Sequence, residues 1–204
     1  MVARSLFAGV KSPYFLWLLL SLPALGMFSA LTGTDARAFR HLLEPTGEFA
    51  ARFMIIGMMA TPLMMVFRTH HWPRWMMHNR RYFGVAAFGY AALHTIVYVV
   101  SEGTLAKILG EITKFEIWTG WLAFLIFIPL AATSMDYAQR ALGTAWKPLQ
   151  RWTYAAAVLT LLHWASLHNW GSIAPAAIHF GPLAALSAYR LWYWYLRPRP
   201  TRIA

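Results

Sequence analysis

Residues 83–101 read FGVAAFGYAALHTIVYVVS, a run without one charged side chain and with a single histidine, His94, past its midpoint. A helix needs roughly 20 apolar residues to cross a bilayer. The run therefore reads as a transmembrane span with an ionisable group inside it. Five further stretches have the same character, at about 14–33, 49–67, 118–135, 152–168 and 174–195. The connections between the six are short, and none could hold a second folded domain of at least about 50 residues. The expected architecture is an all-α membrane protein: one domain over 1–204, built as a six-helix transmembrane bundle.

Composition agrees. Of the 204 residues, 59% are hydrophobic and only 12% charged, half the charge of about 25% in a soluble domain. Mean hydropathy is +0.45. The absence of cysteine excludes disulfides, thiolate metal sites, iron–sulfur clusters and covalently attached c-type haem. No Gly-x-Gly occurs, so there is no dinucleotide-binding fingerprint. No internal repeat is apparent.

The net charge of +11 is gathered in tails and connections, which points to membrane topology rather than nucleic acid. Loop 68–82 holds Arg68, Arg74, Arg80 and Arg81 with no acid, and loop 136–151 holds Arg140, Lys147 and Arg151 against Asp136. Loops 34–48 and 102–117 balance their cations with Asp35, Glu44, Glu48, Glu102, Glu111 and Glu116. Every second connection is basic, so the positive-inside rule puts both termini in the cytoplasm. A rival reading of the first span is a cleaved signal peptide, from Arg4 and Lys11, an apolar run and Ala24-Leu25-Gly26.

Ionisable residues inside a span are costly and are functional candidates. His94 lies about 12 residues into the third span and His163 about 11 into the fifth, at depths of roughly 18 and 17 Å. Two imidazoles at matched depth on parallel helices are what a bis-histidine haem requires. The plainer alternative is that each histidine bonds a neighbouring helix. A bare zinc or copper ion would want a third or fourth ligand at that depth, and no acid or thiol is there. Arg52 and Arg190 also lie within spans; His168 and His179 lie near outer ends. Arg80, Arg81, Lys147 and Arg151 line the cytoplasmic rim, where they could meet haem propionates or a flavin phosphate, although topology alone accounts for them. The methionines of the second span are read as adaptable apolar filler.

The stretch RRYFGVAAFGYAALH at 80–94 resembles the third helix of the MsrQ (YedZ) family, in the ferric-reductase-like transmembrane group. TGEFAARF at 46–53, TPL at 61–63, ATS at 132–134, LGTAW at 142–146 and LQRWTYAAAVLTLLHW at 149–164 follow the same family in order. The resemblance implies b-type haem, with FMN as a further cofactor candidate. It implies a bacterial inner-membrane, multi-pass subunit that carries electrons from quinone or a cytoplasmic flavin reductase to a periplasmic molybdopterin enzyme, which reduces methionine sulfoxide in proteins. His94 and His163 match family haem ligands. The family often has a third histidine where this chain has Gln150, a poor iron ligand, so one haem is expected and Gln150 speaks against a second. That departure keeps open a divergent ferric-reductase-like carrier with another acceptor. A small haem-free transporter is the alternative from a different class.

Overall fold

The computed structural model describes residues 13–30 and 40–197; the expectations for Arg4, Lys11 and Asp35 lie outside them. Among the described residues the fold is all-α, without strands. Six long helices form the frame: α1 (Pro13–Ala30), α2 (Leu43–Val66), α3 (His71–Glu102), α5 (Phe115–Ala132), α8 (Thr153–Trp170) and α9 (Ile173–Leu191). Short helices fill two connections, α4 (Leu105–Glu111) in one, and α6 (Asp136–Leu142) with α7 (Trp146–Gln150) in the other. Three helices, α2, α3 and α5, are long and apolar enough by length and composition to cross a membrane. The chain is an all-α membrane protein. Its outward-facing Leu18, Leu25, Ile96, Leu125 and Ile178 are exposed, as side chains solvated by lipid would be.

The 32-residue α3 starts well before the predicted span at 83. At about 1.5 Å per residue it is roughly 48 Å long, against a hydrocarbon core of about 30 Å. Part of it must therefore run beyond the apolar layer, where a helix needs no apolar sequence. Pro73 sits in the first turn, where its missing N–H costs no hydrogen bond.

Lipid gives no hydrophobic drive between helices, so close approach must supply the contact energy. Ala60, Ala87, Ala156 and Ala176 are completely buried. A Cβ on Gly57 of α2 would stand 3.3 Å from the Arg80 carbonyl oxygen of α3, so these two helices meet nearly backbone to backbone. Around that contact pack Phe53, Met54, Phe83 and Tyr90. Tyr90 also fastens α1. Its hydroxyl donates to Leu20 O at 3.0 Å and accepts from Ala24 N–H at 2.8 Å, entering the i→i−4 ladder one residue after Pro23.

Contacts fix relative directions. Near one end of the α2–α9 pair, Arg52 donates to His179; near the other, Arg68 donates to Tyr193. The two helices thus run parallel. Arg81 of α3 pairs with Asp136, and Arg190 of α9 donates to Tyr154 of α8 at 2.8 Å. The arginines at 68, 81, 190 and 197 therefore share one basic end. Glu102, Glu111 and Glu116 gather at the opposite end.

Candidate cofactor site

Helices α2, α3, α5 and α8 enclose a cavity of about 540 Å³. Its walls are mostly apolar, with Ala50, Ala91, Ala123 and Phe127, and its mouth at the acidic end carries Arg40, Glu44, Glu48, Glu102 and Glu111. His94 and His163 face each other across it, ring centres 6.2 Å apart and ring planes at 77°. Metal–imidazole bonds of about 2.0 Å would set two opposed rings about 6 Å apart between centres.

Each ring is aimed the same way. His94 Nδ1–H donates to Leu43 O at 2.9 Å, and His163 Nδ1–H donates to Glu116 O at 2.5 Å. A carbonyl can only accept, so Nδ1 carries a proton in both rings, and in the neutral ring the Nε2 lone pair is left for a ligand. Metal-binding histidines are commonly oriented this way by a partner on the other nitrogen. Both carbonyls belong to the first turn of their helices, α2 and α5.

A glycine makes room for each ring. A Cβ on Gly47 would lie 3.1 Å from His94 Nδ1, and one on Gly120 only 2.8 Å from His163 Nδ1. A threonine precedes each glycine. Thr46 Oγ1 donates to Leu42 O at 2.6 Å and Thr119 Oγ1 to Phe115 O at 2.8 Å, both side chains fully buried. Thr46 Oγ1 also lies 3.3 Å from His94 Nδ1, as a second acceptor for that proton. The sequence shows no repeat, yet this arrangement occurs twice: carbonyl, Thr three residues on, Gly four residues on. Leu43-Thr46-Gly47 serves His94, and Glu116-Thr119-Gly120 serves His163. Sequence reasoning missed these four residues. Their only signal is a Thr-Gly pair one turn into two helices.

The other singled-out residues fall elsewhere. Arg80, Arg81 and Arg151 do not line the cavity. Arg80 donates to Thr61 Oγ1 and Met77 Sδ, each at 3.4 Å. The Arg81 guanidinium bonds Asp136 and holds its carboxyl below the usual carboxylate range. Arg151 is exposed. Gln150 gives its amide to Leu130 O at 3.2 Å and Thr133 Oγ1 at 3.1 Å, tying α7 to the end of α5. Arg52 is neutralised by Glu48 one turn away, at 2.5 Å, and donates to His179 Nε2 at 3.2 Å. His168 sits at the cavity rim with φ +56°, followed by Asn169 and Trp170 at +54° and +67°. This left-handed run ends the regular part of α8 and turns the chain into α9. At the mouth, the hydrogen bond from Lys114 keeps the Glu111 carboxyl below its ordinary pKa, so the acidic end holds its charge.

No group of three or more His, Asp or Glu that could hold a metal ion occurs among the described residues. Two neutral imidazoles alone do not complete a four-coordinate site. They suit a metal that brings its own equatorial donors.

Residues 46–161 match the ferric reductase like transmembrane component family. That defines the class: a membrane helix bundle of the ferric-reductase type. Proteins named "Protein-methionine-sulfoxide reductase heme-binding subunit MsrQ" are similar over most of the chain. The one from Rhizobium meliloti is 35% identical over 162 residues, 76% of this chain and 71% of its own length. That of Agrobacterium fabrum is 32% identical over 156 residues, covering 75% and 68%. That of Yersinia pseudotuberculosis is 31% identical over 190 residues, covering 90% of each. The chain belongs to the MsrQ family. No solved structure matches it.

Proposed function

We propose that this protein is the b-type cytochrome subunit of a protein-methionine-sulfoxide reductase system, holding one haem between His94 and His163. The observation that carries the reading is the pair of imidazoles, 6.2 Å apart across an apolar cavity, each fixed through Nδ1 by a backbone carbonyl. The relatives' name, heme-binding subunit, supports it. Two neutral nitrogens with no carboxylate between them fit a haem, whose macrocycle supplies the remaining donors. When bound, the haem supplies a one-electron carrier, while the protein sets ligation, burial and docking. Leu43 O and Glu116 O keep both Nε2 lone pairs aimed inward and raise their basicity. Gly47 and Gly120 let the rings sit against their helices. The alanines and Phe127 keep the cavity wall apolar. With Gln150 committed to α5, one haem is the proposed count.

The whole chain is read as a single domain with six spans, α1, α2, α3, α5, α8 and α9, and both termini in the cytoplasm. The basic end is then the cytoplasmic one, and the parallel course of α2 and α9 supports an odd number of crossings between them, here α3, α5 and α8. In the bacterial inner membrane, electrons enter at the basic end from quinone or a cytoplasmic flavin reductase. Arg80, Arg81 and Arg151 stand there to meet the donor, and FMN, if used, binds at that rim. The electrons leave at the acidic mouth toward a periplasmic molybdopterin subunit that reduces methionine sulfoxide in proteins.

The test is a reduced-minus-oxidised visible spectrum of the detergent-purified protein, with haem counted per chain. Low-spin b-type bands at about one haem per chain are expected. His94→Ala and His163→Ala should each lose them while the protein still inserts in the membrane. Full haem content in both variants would defeat the assignment.

A further inference from the structure

We propose that the basic end carries a built site for the phosphate of an anionic phospholipid headgroup, formed by Arg68, Arg74 and Arg197 around Tyr193. Arg68 stands in the turn between α2 and α3, and Arg197 follows the π-helical turn Trp192–Leu196 that ends α9. Their guanidinium carbons each lie 5.0 Å from the centre of the Tyr193 ring. They are therefore no more than twice that distance apart. Arg68 is held in place, its Nε donating to Met65 O at 3.1 Å and its Nη2 to Tyr193 OH at 2.5 Å. Arg74 is drawn in by its own bond to Arg68 O, at 3.1 Å.

Among the described residues no carboxylate joins these three cations. The ion pairs among the described residues occupy Arg52, Arg81, Lys107 and Lys114 instead. Like charges held this near one another are unfavourable until an anion enters, and the guanidinium fork suits phosphate oxygens in particular. The π turn is a rare local form, frequent at functional sites; here it carries the ring that both arginines share.

The surroundings select a lipid over a free anion. Phe67, Trp72, Trp192 and Trp194 are exposed around the cluster, and Phe67 packs on Trp72 with ring centres 5.3 Å apart. Exposed aromatics of this kind mark the headgroup level of a bilayer. Basic clusters between helices at that level bind anionic headgroups.

The haem-loaded, full-length protein is purified in a neutral detergent and given equal amounts of phosphatidylglycerol and phosphatidylcholine. Bound lipid is read by native mass spectrometry. The wild type should retain phosphatidylglycerol preferentially. Arg68→Gln with Arg197→Gln should reduce that retention about fivefold. The control pair Arg140→Gln with Lys147→Gln removes the same charge from the same end and should change it less than about twofold. Equal losses in both pairs would overturn the site in favour of diffuse surface charge. Displacement of the lipid by millimolar inorganic phosphate or FMN would overturn it in favour of a soluble phosphate ligand. If the first pair fails to accumulate, Tyr193→Phe decides, since it removes only the hydroxyl that aims Arg68: weaker retention supports the site and wild-type retention overturns it.

Discussion

Two helix pairs, α2–α3 and α5–α8, hold the two imidazoles by the same device, but not equally tightly. In α2–α3 the Nδ1–H to carbonyl distance is 2.9 Å, a Cβ on the glycine would clear the ring by 3.1 Å, and a threonine hydroxyl stands by as second acceptor at 3.3 Å. In α5–α8 the carbonyl is at 2.5 Å, the same clearance is 2.8 Å, and Thr119 bonds only its own helix. The α3 half places its ring with slack and two acceptors. The α8 half places it by steric confinement against one carbonyl. Equal motifs therefore predict unequal sensitivity to substitution.

The largest difference should come from the glycines. Alanine favours a helix over glycine by about 1 kcal/mol, and overpacking costs about 1–3 kcal/mol. At Gly120 a methyl group would lie closer to the imidazole than real Cβ contacts reach, so sterics win. Gly120→Ala should lose most of its haem and about 1–3 kcal/mol of stability. At Gly47 the ring needs to yield only a few tenths of an ångström, and the helix gain offsets much of that. Gly47→Ala should keep most of its haem. Haem per chain and thermal midpoints of the two variants measure this, and the opposite order would break the comparison.

A smaller and more selective effect belongs to the threonines. Both are fully buried and both back-bond to their helix, so valine at either position should cost about 1 kcal/mol of stability. Only Thr46 touches an imidazole. Thr46→Val removes an acceptor from His94 Nδ1, makes the ring less basic and should raise the haem midpoint potential. Thr119→Val should leave the potential at the wild-type value. Redox titration of the two variants separates them; equal shifts would mean that the threonines act only through packing.

The sequence carried much of this site and little of its support. His94 and His163 stand out because an ionisable residue in an apolar run is rare, and counting residues from the span starts puts them at one depth. Thr46-Gly47 and Thr119-Gly120 do not stand out. A two-residue motif is common by chance, and its meaning lies in which ring a different helix brings against it. The start of α3 at His71 was also illegible, since polarity marks where the bilayer ends and not where a helix does. Gln150 could be read as a missing ligand, but its bonds to Leu130 and Thr133 exist only once α7 folds back on α5. The left-handed run at 168–170 follows no glycine rule at all; Trp170 is held there while stacking on Phe115, ring centres 5.7 Å apart.

The weakest expected effect tests how the two pairs are joined. At the basic end Arg81 of α3 bonds Asp136, which follows α5. That exposed contact is screened and worth little, so the pairs should be held together chiefly by helix packing around the cavity. The pairing depresses the folded-state pKa of Asp136. A depressed carboxyl contributes stability that is fully present above its unfolded value and is lost as pH falls through the folded one. The thermal midpoint of the wild type should therefore exceed that of Asp136→Asn by a small, constant margin at neutral pH. The margin should close only below the ordinary carboxylate range. A large neutral-pH margin, or one that closes between pH 6 and 8, would mean that the ion pair and not the packed core sets the spacing of the two histidine-bearing halves.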